Sequence, residues 1–192
     1  LDSDAKPMDE ALNLEKDGEK ISDKVIAITS KIGEKISFRR FEVLEKTDSQ
    51  NFGTYSHMGG KIVVLTVVDG ANEEVAKEVA MHAAAMRPQY LNESEVPEDV
   101  LNKEKEIMKE QLLNEGKPAE RIDQIMVGKV KKFYEEVCLE NQIFIKAENK
   151  ETVGKYIANN GGKLVNMIRY EVGEGIEKRN ENFAEEVANQ MK

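Results

Sequence analysis

A pattern of helix, glycine and strand occurs twice in this chain, and it constrains the fold more than any other feature of the sequence. The segment DKVIAITSKIGEKISFRRFEV at 23–43 aligns with TVGKYIANNGGKLVNMIRYEV at 152–172. In each copy a predicted helix ends at glycine, and the strand that follows ends in Arg, an aromatic residue, Glu and Val. Because the same events follow in the same order, the pattern indicates a duplication. We expect two similar α/β subdomains in which Arg40 and Arg169 occupy equivalent strands.

The first copy predicts its elements in a definite order. Apolar residues recur at helical spacing over 22–32, Gly33 stands where a cap ends a helix, and 36–44 alternate like a strand. No strand is predicted before this copy, because residues 1–20 are polar and weakly periodic. We therefore expect the first sheet to be short of a strand. The chain also begins with Leu1 rather than Met, which indicates a fragment.

The segment between the copies predicts the centre of the second subdomain. Residues 61–68, KIVVLTVV, form the most β-branched stretch of the chain and predict a central strand. Asn72 is placed to cap a helix rich in small residues, and Pro88 ends that helix. Residues 47–53 have the composition of a turn.

Two further runs of apolar residues at helical spacing predict helices over 97–115 and 118–138. Because only Gly116 and Lys117 separate them and Pro118 opens the second helix, we expect an antiparallel helical hairpin, a coiled coil inserted into an α+β core. The residues expected in its contact are Leu101, Met108, Leu112, Ile122, Met126, Val130 and Phe133.

The charge and cysteine content exclude several classes of protein. With 28 basic and 37 acidic residues the net charge is −9, which argues against direct binding of nucleic acid through phosphates. Cys138 is the single cysteine, and no Cys or His cluster has the spacing of zinc ligands, so we expect a reducing compartment and no metal or cofactor. The longest apolar run, 62–68, is too short to span a membrane. A cytoplasmic protein without a membrane partner is expected.

Catalytic side chains are scarce in this sequence. No Walker motif for nucleotide phosphates is found, and the only histidines are His57 and His82. His82 lies on the small-residue helix, where a hydrogen-bonded core or boundary histidine is the expected interpretation. We therefore expect no bond-breaking enzyme.

Several blocks of the sequence together resemble one family. They are KIGEKISFRRFEVLEK at 31–46, YSHMGGKIVVLTV at 55–67, KEVAMHAAAMRPQYL at 77–91, and IRYEVGEGIEK at 168–178 followed by NFAEEVA at 182–188. In this order they closely resemble bacterial elongation factor Ts. The resemblance covers about 22–188, and the predicted hairpin is similar to the coiled-coil insertion of that family.

The resemblance implies a guanine-nucleotide exchange factor for elongation factor Tu, the GTPase partner, acting in protein biosynthesis. It implies a truncated first core subdomain at 1–52, a second at 53–93 and 140–178, the inserted hairpin at 94–139, and a carboxyl-terminal helix at 179–192. The family's Thr-Asp-Phe-Val exchange motif and its amino-terminal helical module are not found in this sequence. We therefore expect exchange activity to be impaired in this fragment.

The resemblance also implies partner-binding residues. Ile32 and Gly33 in KIGE, His57 in YSHMGG, and Ile145 and Lys146 in QIFIK match family positions that contact the GTPase, although Lys146 departs from the usual apolar type. Structural interpretations stay open beside these: Ile32 as a core residue, Gly33 as a helix cap and His57 as a polar loop residue.

Two other functions are weighed against exchange. The first is a structural oligomerisation module in which the hairpin pairs chains into a homodimer. The second is a small-molecule enzyme, which the scarcity of catalytic side chains disfavours.

Overall fold

The computed structural model describes residues 8–175, apart from the side chain of Asp9. The chain divides into two compact units, with the boundary between Glu45 and Lys46. Helices combine with two small antiparallel sheets, which confirms the predicted α+β class. The helix predicted at 179–192 lies outside the described residues.

The second unit is built on a three-stranded antiparallel sheet. Strands β3 (Gln50–His57), β4 (Ile62–Asp69) and β5 (Lys163–Glu171) pair in the order β3-β4-β5. The β-branched run therefore forms the central strand, as predicted. Helix α3 (Glu73–Met86) packs on β3 and β4, and its first turn is capped by Asn72, whose side chain accepts a hydrogen bond from the amide of Val75. Buried residues at this contact include Val64, Val68, Val75, Val79, Ala80 and Ala83.

Strand β3 was not expected, and the predicted turn at 47–53 is wrong from Gln50 onward. The glycine that suggested a turn has a packing role instead. A Cβ atom at Gly53 would lie 2.0 Å from the backbone carbon of Ala76, so the backbone of α3 rests directly on this strand. The hydroxyl of Thr66 in β4 donates to the carbonyl of Ala76 at 2.7 Å and fixes the same approach.

Two longer helices, α4 (Glu98–Asn114) and α5 (Ala119–Val137), contact each other. Leu112 and Ile122 are buried beside the short connection between them. At the other end, the start of α4 and the end of α5 share one apolar cluster, so the two helices run antiparallel. Its members are Tyr90, Val96, Val100, Leu101, Phe133, Tyr134, Val137 and Cys138.

Cys138 closes this cluster and is completely buried as a free thiol. Burial, reinforced by neighbouring glutamates, raises the pKa of the thiol to about 11. The thiol is therefore neutral at ordinary pH and a poor nucleophile.

The second copy of the repeated pattern folds as predicted. Helix α6 (Val153–Asn159) is capped by the side chain of Thr152, and Gly161 adopts a left-handed φ of 78° before β5 begins. In the first unit, helix α2 (Ile21–Ile32) likewise ends at Gly33, which has φ 79° and donates its amide proton to the carbonyl of Thr29. Both copies thus contain the helix and the glycine that ends it.

The strand predicted at 36–44 is absent, which corrects the expected duplication. Residues 35–46 form no helix or strand, so Arg40 lies outside any strand whereas Arg169 lies in β5. A strand needs a neighbour for its backbone hydrogen bonds, and no described strand pairs with this segment. The alternating pattern is therefore not sufficient to form the element.

The beginning of the first unit contains more structure than its polar sequence predicted. Helix α1 (Met8–Asn13) precedes a small hairpin of β1 (Glu15–Lys16) and β2 (Glu19–Lys20). Across residues 8–175, none of the helices is both long enough and apolar enough to cross a bilayer.

Candidate functional site

An open groove of about 460 Å³ lies on the second unit. Three structural elements form it: the turn between β3 and β4, the end of α3, and the irregular segment 142–147. Three of the five sequence-predicted site residues line it, namely His57, Ile145 and Lys146. The other lining residues are Tyr55, Met58, Ile62, Met81, Ala84, Ala85 and Arg87.

His57 is placed by the last position of β3, where it pairs with Ile62. Its side chain is exposed, and its Nδ1 atom lies 3.3 Å from the hydroxyl of Tyr55. The two rings stack with centroids 6.0 Å apart. His57 is therefore an oriented surface residue at the end of a strand.

Two lining residues adopt left-handed backbone conformations that are usually left to glycine. Met58 has φ 50° and Arg87 has φ 52°. For a residue with a Cβ this conformation costs about 1 kcal/mol. Met58 nevertheless keeps its side chain 62% exposed, so the strain is not offset by burial of the methionine. Strained, exposed side chains at a groove are typical of binding surfaces.

Residues 142–145 alternate between buried and exposed. Gln142 and Phe144 are buried, whereas Ile143 and Ile145 are 44% and 56% exposed. Phe144 stacks on the ring of Tyr156 in α6 with centroids 4.1 Å apart. This anchoring turns Ile145 outward into the groove.

His82 contacts the same segment from α3. It is fully buried, its Nε2 atom lies 3.0 Å from Oε1 of Gln142, and its Nδ1 atom accepts the amide proton of Ile145 at 3.1 Å. Burial lowers the pKa of His82, although the hydrogen bond to Gln142 opposes this. The predicted core histidine is therefore confirmed.

Lys146 is held by a carboxylate of α3. Its Nζ atom lies 2.7 Å from Oε1 of Glu78, and Oε2 of Glu78 accepts a hydrogen bond from the hydroxyl of Tyr156. The Lys146 hydrogen bond is the main cause that lowers the pKa of Glu78, with the Tyr156 hydroxyl adding to it. Burial and the neighbouring Glu78 raise the pKa of Tyr156 well above its ordinary value, so this hydroxyl keeps its proton and acts as a donor.

The groove combines an apolar floor with a rim of two ion pairs. Lys146 pairs with Glu78, and Arg87 lies 3.2 Å from Glu171 at the end of β5. Over the described part of the chain no three His, Cys, Asp or Glu side chains converge as metal ligands. The lining residues, exposed and partly apolar, can bind a complementary surface.

Ile32 and Gly33 belong to the first unit. Ile32 is 57% exposed and α2 buries none of its residues, so the interpretation of Ile32 as a core residue is wrong. Gly33 caps the end of α2, in agreement with the structural interpretation given above. Apart from its chain neighbours, no described atom lies within 4 Å of the place a Cβ would occupy.

Sequence reasoning missed Met58, Met81 and Arg87 as groove residues. The signal was present, since all three lie in the blocks YSHMGG and AMHAAAMRP that carry the family resemblance. Nothing in those blocks indicated that their side chains converge with Ile145.

The described residues form an α+β fold whose exposed groove suits binding to another macromolecule. The chain matches the family model Elongation factor TS over residues 1–174. It is 50% identical over 190 residues to elongation factor Ts of Limosilactobacillus fermentum, covering 98% of this chain and 65% of that relative. It is 49% identical over 176 residues to elongation factor Ts of Lacticaseibacillus casei, covering 92% of this chain and 60% of that relative.

This chain belongs to the elongation factor Ts family. Elongation factor Ts of Pediococcus pentosaceus is 47% identical over 184 residues, 96% of this chain and 63% of that relative. The chain thus spans slightly less than two thirds of the length of these three relatives.

Proposed function

We propose that this chain acts in translation elongation as a guanine-nucleotide exchange factor for elongation factor Tu, and that the groove is part of its binding surface. The observation that carries the proposal is the convergence of His57, Ile145 and Lys146, which are distant in sequence, around one exposed groove. Family membership supports the identity of the partner.

Exchange of this kind forms no covalent bond. The factor binds the nucleotide-free conformation of the GTPase more tightly, and by thermodynamic reciprocity its binding weakens that of the nucleotide. An exposed groove can meet this requirement, because only differential binding is needed.

Binding and exchange are separable in the 192-residue chain. Its sequence contains no Thr-Asp-Phe-Val, the motif that the family resemblance associates with exchange. The chain should therefore bind elongation factor Tu while accelerating GDP release much less than a longer relative does.

Two measurements test binding and exchange separately. Calorimetric titration of the chain into GDP-loaded elongation factor Tu measures binding, and stopped-flow release of a fluorescent GDP analogue measures exchange. Saturable binding with weak acceleration is expected. Full exchange activity would contradict the proposed impairment, and absence of binding would contradict the proposed partner.

Variants of two neighbouring isoleucines test the role of the groove. Ile145→Ala should weaken binding about tenfold, because an exposed groove residue becomes buried only in the complex. Ile143→Ala is the matched control, since Ile143 is similarly exposed in the same segment but does not line the groove. His57→Ala should weaken binding by about 1–2 kcal/mol. Equal effects of the two isoleucine variants would exclude the groove as the interface.

A homodimer through α4 and α5 is the alternative function. Ile107, Leu113 and Val127 expose 41%, 52% and 73% of their surface on these helices. Sedimentation velocity on the chain and on Val127→Glu distinguishes the two. A dimer in the wild-type chain that the variant converts to monomer, with no binding of the GTPase, would favour the alternative.

A further inference from the structure

The amide proton of Ile145 is bound by a side chain from another element. Two nearby amides of segment 142–147 pair with backbone: Phe144 donates to the carbonyl of Glu151, and Ala147 donates to the carbonyl of Phe144. Ile145 donates instead to Nδ1 of His82 at 3.1 Å. This hydrogen bond therefore sets the backbone orientation at the residue that lines the groove.

The hydrogen-bond network fixes the tautomer of His82. Because Nδ1 accepts a proton from Ile145, the ring proton lies on Nε2, which donates to Oε1 of Gln142 at 3.0 Å. The side-chain nitrogen Nε2 of Gln142 donates in turn to the backbone carbonyl of Glu136 at 2.7 Å. Both ring nitrogens of His82 and both polar side-chain atoms of Gln142 therefore make hydrogen bonds. Through these bonds the pair connects α3 to the end of α5.

We propose that His82 and Gln142 are positioning residues of the groove, which hold the backbone of Ile145 so that its side chain is presented for binding. A buried apolar residue could fill the same space without the cost of burying two polar groups. What it could not supply is the acceptor for Ile145. The role in binding rests on the proposed function, whereas the effect on the backbone does not.

Hydrogen exchange on the free chain tests the backbone effect. His82→Leu removes the acceptor and should make the Ile145 amide exchange at least about tenfold faster. The amides of Phe144 and Val153, which pair with backbone carbonyls, should change much less. His82→Asn should restore the protection of Ile145, because its Oδ1 atom can take the place of Nδ1. Unchanged exchange at Ile145 in His82→Leu would overturn the proposal.

A double-mutant cycle tests the effect on binding to the GTPase. If His82 acts through Ile145, His82→Leu should weaken binding about as much as Ile145→Ala does, and should add less than about twofold in the Ile145→Ala background. Independent, multiplying effects would overturn the proposal. Thr66→Val is the matched control, because it also removes a buried side-chain hydrogen bond but lies outside the groove.

The outcomes separate the two proposals. If the wild-type chain does not bind the GTPase, the proposed function fails, while the exchange of Ile145 still decides whether His82 positions it. Should His82→Leu fail to fold, Gln142→Met removes the partner of His82 and is expected to accelerate exchange at Ile145 about fivefold. No acceleration in that variant would likewise overturn the proposal.

Discussion

The ammonium group of Lys146 lies 2.7 Å from Oε1 of Glu78, while the hydroxyl of Tyr156 donates to the other oxygen of the same carboxylate. The side chain of Glu78 is 21% exposed and that of Lys146 is 49% exposed. One carboxylate thus fixes a cation at the rim of the groove and a tyrosine beneath it.

Glu78→Gln should lower the free energy of unfolding by about 1 kcal/mol at pH 7, because it replaces a partly buried ion pair by a weaker hydrogen bond. The folded pKa of Glu78 is lowered, so its stabilising contribution is present above its ordinary pKa of 4.5 and is lost as pH falls through the folded value. The difference between wild type and variant in urea denaturation should therefore shrink in acid. Glu135→Gln, which breaks the more exposed pair with Lys131, should cost only a few tenths of a kcal/mol.

The buried His82 also makes stability fall in acid, but at higher pH than Glu78 does. Its folded pKa is below the ordinary 6.5, so the unfolded chain binds the proton more readily. Stability should be complete above about pH 6.5 and should fall on acidification below it, by at most about 1.4 kcal/mol per pH unit. Urea denaturation between pH 7.5 and 5.5 should show a flatter dependence for His82→Asn. An identical slope in the two proteins would contradict this assignment.

Replacing Met58 by glycine should separate stability from binding. Met58→Gly relieves a left-handed conformation and should stabilise the chain by up to about 1 kcal/mol, while it removes an exposed side chain from the groove and weakens partner binding. Lys150→Gly relieves a similar φ of 58° away from the groove and should leave binding unchanged. Thermal denaturation and calorimetry measure the two effects. Weaker binding in both variants would show that the effect of Met58→Gly on binding is not specific to the groove.

Replacement of glycine by alanine should change the free energy of unfolding in opposite directions at two positions. Gly53→Ala should destabilise by at least about 2 kcal/mol, because the new Cβ would overlap the backbone of Ala76. Gly128→Ala should stabilise by about 0.5–1 kcal/mol, since Gly128 lies inside α5 and, apart from its neighbours in that helix, no described atom lies within 4 Å of the new methyl group. Chemical denaturation of both variants gives the comparison. Similar tolerance at the two positions would mean that α3 does not rest on β3.

Elements with local signals were predicted from the sequence. Helix α3 has its cap at Asn72 and its following Pro88, α2 has Gly33, and β4 has a continuous β-branched run. Each signal acts over a few residues and needs no distant partner. The family resemblance added His57, Ile145 and Lys146 as candidates, but it did not indicate that they converge.

Elements that depend on distant partners were not predicted correctly. Residues 36–44 have a strand-like alternation but pair with no described strand, whereas β3 has turn-like residues and pairs along all of β4. Pairing supplies the backbone hydrogen bonds that define a strand, so sequence preference alone could not distinguish these two segments.

The sequence by itself determined the α+β class, the ends of α2 and α3, the central strand and the buried state of His82. Only the tertiary structure decided that β3 exists, that Gly53 serves the contact with α3, and that His57 meets Ile145 at one groove. Helix caps and β-branched runs act through neighbours along the chain. Strand pairing, backbone contact and the hydrogen bond from Ile145 to His82 join residues far apart in sequence, so their energies arise only once the fold has brought them together.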